Sequence, residues 1–589
     1  MQKKSALLGG AALGVLLAVS MSASADAKTA KHHRHAAPAA PSAVDQKVES
    51  LTEAVSALES RLNEETQARQ ATQAQAQAAQ ADAAAARADA AAARTQLSEQ
   101  IQTIPGAVQG AVTTAVAANK PKTDKIYYKG VTVTLGGFLE AAGIYRSKNE
   151  ESDISSSYAK IPYGNNVVGH TSELRGTARQ SRVSFLAQGD INKTTHAAFY
   201  GEFDFQGGAQ TSNSNESNSY VPRIRNLYGT VDWDDYGLHL LAGQNWSLVT
   251  LNSKGITPRN EVTPPQIDAQ YIPGFAWTRQ PQIRITKDWN KEIWAAVSIE
   301  NPQTTIGGTT GSGLSSLGIT ATTAATGNTT LNGSPPNGSS ASSGFDSVNS
   351  MSLNHLPDVV GKLAFEPNIG GAHPVHLEVF GLYRSYYDRV TVAANSYATL
   401  HMGLTAGSSN VDTNGGGFGG SVTATVVPKI LDLQASVMTG RGIGRYGSGQ
   451  LPDVTLQANG HLAAIPETMF LVGGTLHATK ELDIYVFGGQ EREDSKLSSA
   501  NGSTYGFGVP GSGTAITCNT DGGSCTTTTR EISQVTAGFW DKAYTGPFGQ
   551  LRVGVQYSHT NLTAFSTTSG YTPKTSEDMI FTSFRYYPF

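Results

Sequence analysis

Short segments in which apolar and polar residues alternate follow one another along the chain from about residue 127 onward. Clusters of Gly, Asn, Ser and Asp separate these segments. Because successive side chains of a β-strand point to opposite faces, this period of two predicts strands with one apolar and one polar face. The clearest examples are residues 131–139, 183–190, 197–206, 238–243, 282–286, 377–382, 482–488 and 551–557.

These strands predict an all-β transmembrane barrel of about 16 antiparallel strands over residues 127–589. One face would meet lipid and the other water, and an open sheet in lipid would leave the backbone groups of its edge strands unpaired. The soluble alternatives are a large secreted β-sandwich and a β-helix, and no fixed short repeat supports a β-helix. Residues 303–350 and 498–529, rich in Gly, Ser and Thr, are predicted to be long loops.

Composition narrows the class further. The 589 residues are 39% hydrophobic and only 15% charged, with a net charge of −4 and a mean hydropathy of −0.26. Soluble domains carry about 25% charged residues, yet no apolar run of about 18 residues is present to form a membrane-spanning helix. A helical membrane bundle is therefore excluded, and the charge balance does not suggest a nucleic-acid partner.

Residues 1–25 have the layout of a secretory signal peptide. Lys3 and Lys4 precede an apolar stretch at 7–19 and the small residues 23–25. A membrane anchor is the alternative, but the stretch is too short to span a bilayer. Residues 26–43 are predicted to be an Ala/Pro/His-rich linker, in which a solvated tail is favoured over a metal-sensing role.

Apolar residues at alternating spacings of four and three predict an α-helical coiled coil over residues 44–104, placed in the periplasm by the export signal. Beyond residue 62 the register falls mostly on Ala, which is common at every position there, so a single helix without a partner is the alternative. Val at a and Leu at d favour a dimer, so the seam itself does not argue for a trimer. Pro105 and Gly106 end the helix and begin a linker at 105–126. The informative positions are Val44, Val48, Leu51, Val55, Leu58 and Leu62.

Cys518 and Cys525 are the two cysteines of the chain and lie in a segment rich in Gly and Thr. In an exported protein this spacing predicts one disulfide that closes a small loop. Metal binding is the alternative, but the segment offers no His or further Cys nearby. No metal site is therefore predicted.

Alternation also assigns polar residues to the inner face of the barrel. Arg182 and Arg284 each lie between apolar neighbours, and an Arg that faced lipid at mid-membrane would cost roughly 2–4 kcal/mol. The same reasoning turns Glu202, Asp204 and Gln282 toward the lumen. Two roles remain open for these arginines: bracing the wall against Glu202 and Asp204, or contact with a solute. Arg223 and Arg225 are separated from Leu227 and Val231 by even numbers of residues and so share a strand face with them. This shared parity predicts a position at the rim or at a subunit contact instead.

Five runs of residues occur along the first half of the barrel region: ARQSRVSF at 178–185, EFDFQ at 202–206, RIRNLYG at 223–229, GQNWS at 243–247 and TRQPQIRIT at 278–286. Together they resemble the DcaP-like trimeric porins of Gram-negative outer membranes. The resemblance covers residues 135–300 and implies a sixteen-stranded trimeric barrel, a positively charged constriction and passage of small anionic solutes such as dicarboxylates. The aromatic ending at 584–589 is typical of outer-membrane barrels, although Arg585 and Pro588 depart from the usual alternation. The arginines that match the family are Arg179, Arg182, Arg225, Arg279 and Arg284.

The sequence therefore predicts a passive outer-membrane porin for small, anionic solutes, with no cofactor and no catalysis. Its expected partners are these solutes, outer-membrane lipid, two further copies in a homotrimer and peptidoglycan through the coiled coil. The second hypothesis is a general, non-selective porin whose coiled coil tethers the outer membrane to the cell wall. An outer-membrane enzyme is a third, but no Ser/His motif supports it, and His239, His376 and His477 are predicted to occupy ordinary solvated or rim positions.

Overall fold

The computed structural model describes residues 125–207, 220–308, 311–321, 353–369 and 373–589, together with residues 56, 60, 84, 87–89, 91, 92 and 94. The predicted signal peptide, the linker at 26–43 and most of the predicted coiled coil lie outside the described residues. The described positions between 56 and 94 are helical and exposed, and Ser60 Oγ donates to the Ser56 carbonyl at 2.9 Å. The coiled coil stays a prediction. In the described part of the chain, no helix has the length and apolar character needed to cross a membrane.

Sixteen antiparallel strands form a closed barrel within the described residues, as the alternation predicts. The last strand pairs with the first, with Tyr586 opposite Leu139, so the sheet has no free edge along this seam. The second strand is interrupted at residues 178–181. The strands are β1 (Val131–Arg146), β2 (Glu173–Thr177 and Arg182–Asn192), β3 (Thr195–Asp204), β4 (Arg223–Trp233), β5 (Leu238–Trp246), β6 (Arg279–Trp289), β7 (Ile293–Glu300), β8 (Asp358–Phe365), β9 (His373–Val392), β10 (Gly407–Val427), β11 (Leu431–Arg441), β12 (Pro466–His477), β13 (Leu482–Glu493), β14 (Thr529–Gly546), β15 (Gly549–Ala564) and β16 (Lys574–Tyr587).

The connections differ in length between the two ends of the barrel. One end, called the short-turn end, has connections at 193–194, 234–237, 290–292, 366–372, 428–430, 478–481 and 547–548. The other, called the long-loop end, has connections at 147–172, 205–222, 247–278, 301–357, 393–406, 442–465, 494–528 and 565–573. This asymmetry is typical of bacterial outer-membrane barrels.

Inner and outer faces alternate along the strands. In β6, Ile283 and Ile285 are 56% and 55% exposed on the outer face, whereas Gln282 and Arg284 are buried inside the barrel. In β16, Phe584 is exposed and Arg585 is 8% exposed. Arg585 therefore follows the alternation as an inward position, and the interpretation of this residue as a departure from it is wrong.

The predicted long loops contain ordered pieces. Within 303–350, a short helix at Gly311–Ser315 and a strand at Ile319–Ala321 pack against β9, and residues 322–350 lie outside the described residues. Within 498–529, strand Ser503–Phe507 pairs with Lys496–Ala500. Cys518 and Cys525 form a disulfide with an S–S distance of 2.06 Å. Asn165 of the connection 147–172 donates to the carbonyls of Gly523 and Cys525.

The connection 247–278, called L3, folds into the barrel and crosses its lumen. Near its start, the Thr250 carbonyl accepts a hydrogen bond from Lys362 Nζ of β8 at 2.7 Å. Farther along, Gly274 N donates to Glu491 Oε1 of β13 at 2.7 Å, and the Pro265 carbonyl accepts from Trp540 Nε1 of β14 at 2.8 Å. L3 is thus held by opposite walls, so it divides the lumen into a long-loop half and a short-turn half.

Apolar side chains fill much of the long-loop half. Ile267, Ile272 and Phe275 of L3 cluster with Ile154 and Tyr158 of the connection 147–172 and with inward residues of the wall. The core of the protein therefore lies inside the barrel, and the open space is in the short-turn half.

Candidate functional site

A cavity of about 480 Å³ lies inside the barrel between L3 and the short-turn end. Its wall includes inward residues of β2, β11, β12, β14, β15 and β16, and its roof includes residues 262–266 of L3. The charged and aromatic residues that line it are Arg182, Tyr271, Asp432, His477, Asp483, Phe487, Trp540, Arg552, Arg585 and Tyr587.

The three arginines of this lining are separated by aromatic rings. They are Arg182, Arg585 and Arg552 and are called the arginine ladder. Phe138 of β1 lies between the guanidinium groups of Arg182, at 5.3 Å, and Arg585, at 4.7 Å. Arg552 lies 4.7 Å from the ring of Tyr587, which itself packs against Phe138. Cation–π contacts of this kind hold a guanidinium in place without neutralising it.

Few acids neutralise the ladder. Among the described residues, Glu140 is the one carboxylate that forms an ion pair with it, to Arg585 at 2.9 Å. Nε of Arg182 and Nη2 of Arg585 are buried without a hydrogen-bond partner in the part of the chain that the structure describes. Buried donors are nearly always satisfied in folded proteins. The ladder therefore combines positive charge with unsatisfied donors, which is the chemistry that binds a carboxylate.

Glu202 and Asp204 belong to a second arginine cluster. Arg225 contacts Glu202 at 2.6 Å and Asp204 at 3.0 Å, and Arg223 contacts Asp204 at 2.6 Å. The two acids therefore brace Arg223 and Arg225. Glu202 is close enough to Arg182 and Arg279 to interact electrostatically, but it forms no ion pair with them in the described structure.

Arg225 lies inside the barrel and is 2% exposed, although its shared parity with Leu227 and Val231 predicts an outward position. The reason is a β-bulge: Glu202 pairs with Asn226 while Phe203 pairs with Ile224, so Arg225 is an extra residue in the ladder of hydrogen bonds. A bulge re-aims the side chain at its position. The parity argument therefore fails at this residue.

Arg284 and Gln282 brace the wall and do not line the cavity. Arg284 Nε donates to Gln282 Oε1 at 3.0 Å, and Arg284 Nη2 donates to the Trp246 carbonyl at 2.7 Å. Gln282 Nε2 donates to the same carbonyl at 2.9 Å. Arg284 therefore makes bracing contacts within the wall at the point where L3 begins.

Arg279 and Arg179 lie outside the lining of the cavity, each in a different part of the barrel. Arg279 packs over the rings of Trp246 and Trp277 at 4.7 and 5.6 Å, beside L3. Arg179 donates from Nε to the Phe205 carbonyl at 3.2 Å and from Nη2 to the Gly207 carbonyl at 3.0 Å. Arg179 thus ties the interruption of β2 to the connection 205–222 and lies away from the cavity lining.

Tyr271 is the L3 residue that meets both arginine groups. Its backbone φ is +66°, a strained conformation for a non-glycine residue that is often found at functional sites. Burial raises the pKa of the Tyr271 hydroxyl, but the field of Arg182, Arg225 and Arg279 outweighs burial and lowers that pKa to about 8.

Sequence reasoning overlooked Arg552, Arg585 and Tyr271. Arg552 lies between Leu551 and Val553, and Arg585 lies between Phe584 and Tyr586. The rule that turned Arg284 inward would have found both. Tyr271 belongs to an irregular loop, where no periodic signal exists.

Comparisons with known proteins bear on the fold. No protein-family profile matches the chain, and no curated protein matches it. Among solved structures, the chain is similar to the outer membrane channel DcaP of Acinetobacter baumannii, with 16% identity, a TM-score of 0.51 and coverage of 78% of this chain and 99% of that one. An anion-selective porin from Comamonas acidovorans, 10% identical with a TM-score of 0.39, covers 78% of this chain and 99% of its own. The first likeness supports the barrel fold, and the second is too distant to add to the argument.

Proposed function

We propose that the protein is an outer-membrane porin of a Gram-negative bacterium through which small anionic solutes of the dicarboxylate type diffuse passively. The observation that carries the proposal is the arginine ladder. Three guanidinium groups line one lumenal cavity, one carboxylate pairs with them, and two of their nitrogens are buried without an acceptor in the described structure. The outer face, by contrast, exposes Ile, Val, Leu and Phe side chains, as lipid requires.

The location of the cavity supports a role in permeation. L3 crosses the barrel just above it, so a solute that passes from one half of the lumen to the other must move along L3. A guanidinium forms two parallel hydrogen bonds with a carboxylate, and successive arginines would hand a dicarboxylate from one to the next. The aromatic rings keep the guanidinium groups apart and leave their edges available for such contacts.

We also propose the orientation and assembly. Short turns face the periplasm in bacterial barrels, which places the cavity on the periplasmic side with the predicted coiled coil. The wall is lowest from β3 to β8, where strands have 8–11 residues, against 20 and 21 in β9 and β10. A low wall with exposed Phe199 and Ile224 would suit the subunit contacts of a homotrimer, with lipid around the rest.

The test is a reversal-potential measurement on the purified, refolded protein in a planar bilayer with a KCl gradient. We expect a potential of the sign that indicates preference for chloride, and a decrease in chloride conductance when succinate is added as a competitor. A cation-selective potential would contradict the anionic part of the proposal. Absence of any conductance would contradict the porin itself.

The second candidate is a general, non-selective porin whose coiled coil tethers the outer membrane to peptidoglycan. The heptad pattern of residues 44–62 favours it, since a continuous helix over 44–104 would be about 90 Å long at roughly 1.5 Å per residue. Deletion of 44–104 separates the two roles. Loss of peptidoglycan co-sedimentation with unchanged conductance would support the tether, and unchanged co-sedimentation would contradict it.

A further inference from the structure

Four histidines at the short-turn end each lie between two carboxylates. They are called the histidine ring and are His196 of β3, His239 of β5, His376 of β9 and His477 of β12. In each of them the two ring nitrogens contact two different acids, at distances between 2.6 and 3.3 Å. A neutral imidazole has one donor and one acceptor nitrogen, so only the imidazolium form donates to both acids. Two acids at one imidazole therefore favour its doubly protonated, positively charged form.

His477 shows the arrangement most clearly. Nδ1 lies 2.6 Å from Asp483 of β13, its direct cross-strand partner, and Nε2 lies 3.1 Å from Asp432 of β11. Lys542 of β14 contacts the other oxygen of Asp483 at 2.9 Å. The bridge thus joins neighbouring strands. Because His477, Asp432 and Asp483 line the same cavity as the arginine ladder, the charge of the bridge acts on whatever occupies that cavity.

His239 repeats the arrangement on the other side of the barrel. Its Nδ1 lies 2.7 Å from Asp232 of β4, again the cross-strand partner, and its Nε2 lies 3.1 Å from Asp288 of β6. The imidazole of His239 stacks on Trp294, which clusters with Leu248 of L3 inside the barrel. No cation contacts these two aspartates in the described structure other than His239 itself.

His196 and His376 complete the ring. His196 contacts Asp190 of β2 at 2.6 Å and Asp234 of the short turn 234–237 at 3.3 Å. His376 contacts Glu366 and Glu378, both at 2.9 Å. Lys362 also contacts Glu378, at 2.8 Å, and Glu378 accepts from Asn252 N of L3, so this bridge faces the lumen.

We propose that the histidine ring makes the passage of anions through the opening at the short-turn end depend on the pH at that end. The proposal rests on the proposed function as an anion-conducting porin. When the pH falls, each histidine is held as an imidazolium and offsets one of its two acids. When the pH rises, each proton lost removes one positive charge from the short-turn end, which then repels anions more strongly. At His477 and His376 a lysine still contacts one of the two acids, whereas at His239 neither aspartate keeps a cation in the described structure.

The experiment uses the full mature chain in planar bilayers, with the pH changed from 5.5 to 8.5 on one side at a time, because two acids beside each imidazole hold its proton to a higher pH. The test variant carries His196→Gln, His239→Gln, His376→Gln and His477→Gln, and His477→Gln alone is measured as well. The matched control is His559→Gln, because His559 lies on the outer face and contacts a single acid, Asp578, at 2.8 Å. Resistance of the barrel to SDS at room temperature checks that each variant is folded.

For the wild type and His559→Gln, we expect the chloride-to-potassium permeability ratio to fall as the pH rises on one side and not on the other. A unit charge within about 10 Å of the ion path changes the ratio by about twofold. The fourfold variant should lose this response, and His477→Gln should lose part of it. If the fourfold variant does not fold, an unchanged response in His477→Gln overturns the proposal, and a reduced one supports it.

Two outcomes separate this inference from the proposed function. A channel that prefers anions at every pH, with the same pH response in the wild type and in the histidine variants, would overturn the role of the ring and leave the porin proposal standing. A channel that prefers cations at every pH would overturn the proposed function itself. A response of equal size from both sides would also contradict the ring, since all four histidines lie at one end.

Discussion

The guanidinium of Arg585 lies 4.5 Å from the ring of Trp540, on the inner wall of the barrel. Both residues belong to the lining of the lumenal cavity, and Trp540 also donates to the Pro265 carbonyl of L3 at 2.8 Å. One side chain thus holds the arginine in the cavity and fixes the loop above it. Trp540 therefore contacts both a charged residue of the cavity and the backbone of L3.

From the proposed function, we expect Arg585→Gln to lower the preference for anions. The substitution removes one of three positive charges of the ladder, and Coulomb energies in water at about 4 Å correspond to roughly a fivefold change in the permeability ratio. The measurement is the reversal potential in a KCl gradient. Arg389→Gln is the matched control, because Arg389 is exposed on the outer face and contacts Asn410. An equal loss of anion preference in both variants would contradict the assignment of the ladder.

Asp204→Asn should destabilise the barrel. Asp204 is fully buried and contacts Arg223 at 2.6 Å and Arg225 at 3.0 Å. Removal of one partner of a buried ion pair leaves a desolvated charge and costs about 3 kcal/mol. Urea unfolding in detergent micelles, followed by tryptophan fluorescence, would measure the change. Asp578→Asn, on the exposed outer face, should change the unfolding free energy by less than about 1 kcal/mol, and equal effects would argue against a bracing role for Asp204.

The barrel is accessible to sequence reasoning because a pleated strand between lipid and water must alternate. The period of two turned Gln282 and Arg284 inward, and the structure places both inside the wall. The role of each residue was not accessible in the same way. Arg182 and Arg284 have the same local pattern, yet Arg284 donates to the Trp246 carbonyl while Arg182 lines the cavity.

Two physical features explain the remaining differences. A single extra residue at Arg225 reverses parity, and no composition signal marks this bulge. Tyr271 reaches the arginines because L3 crosses the lumen, a path that depends on contacts with Lys362 and Glu491 far away in sequence. Arg552 lies between the apolar residues Leu551 and Val553, so the same alternation predicts an inward position for it.

Replacement of both cysteines by serine should loosen the connection 494–528 and leave the barrel intact. A disulfide that closes a loop of this size stabilises it by about 2–3 kcal/mol. The strands, by contrast, are held by backbone hydrogen bonds between neighbours all around the barrel. Limited proteolysis of the folded protein should therefore cut near residues 508–528 faster in the variant than in the wild type. Wild type treated with a reductant is the control and should behave like the variant. Earlier urea unfolding of the whole barrel would contradict this prediction.

Tyr271→Phe should remove a pH response, in the alkaline range, of ion passage through the lumenal cavity that Tyr271 lines. The hydroxyl of Tyr271 is neutral below its pKa of about 8, which is set by burial and by the stronger, opposing field of Arg182, Arg225 and Arg279. As the pH rises through 8 the phenolate forms, cancels one positive charge and lowers the anion preference. The permeability ratio of the wild type, measured with both chambers changed together from pH 7 to 9.5, should fall by about twofold more than that of Tyr271→Phe. Tyr383→Phe, which removes a hydroxyl that contacts Asn414 on the outer face, is the matched control. A response that is identical in Tyr271→Phe and wild type would show that this hydroxyl does not titrate next to the ion path.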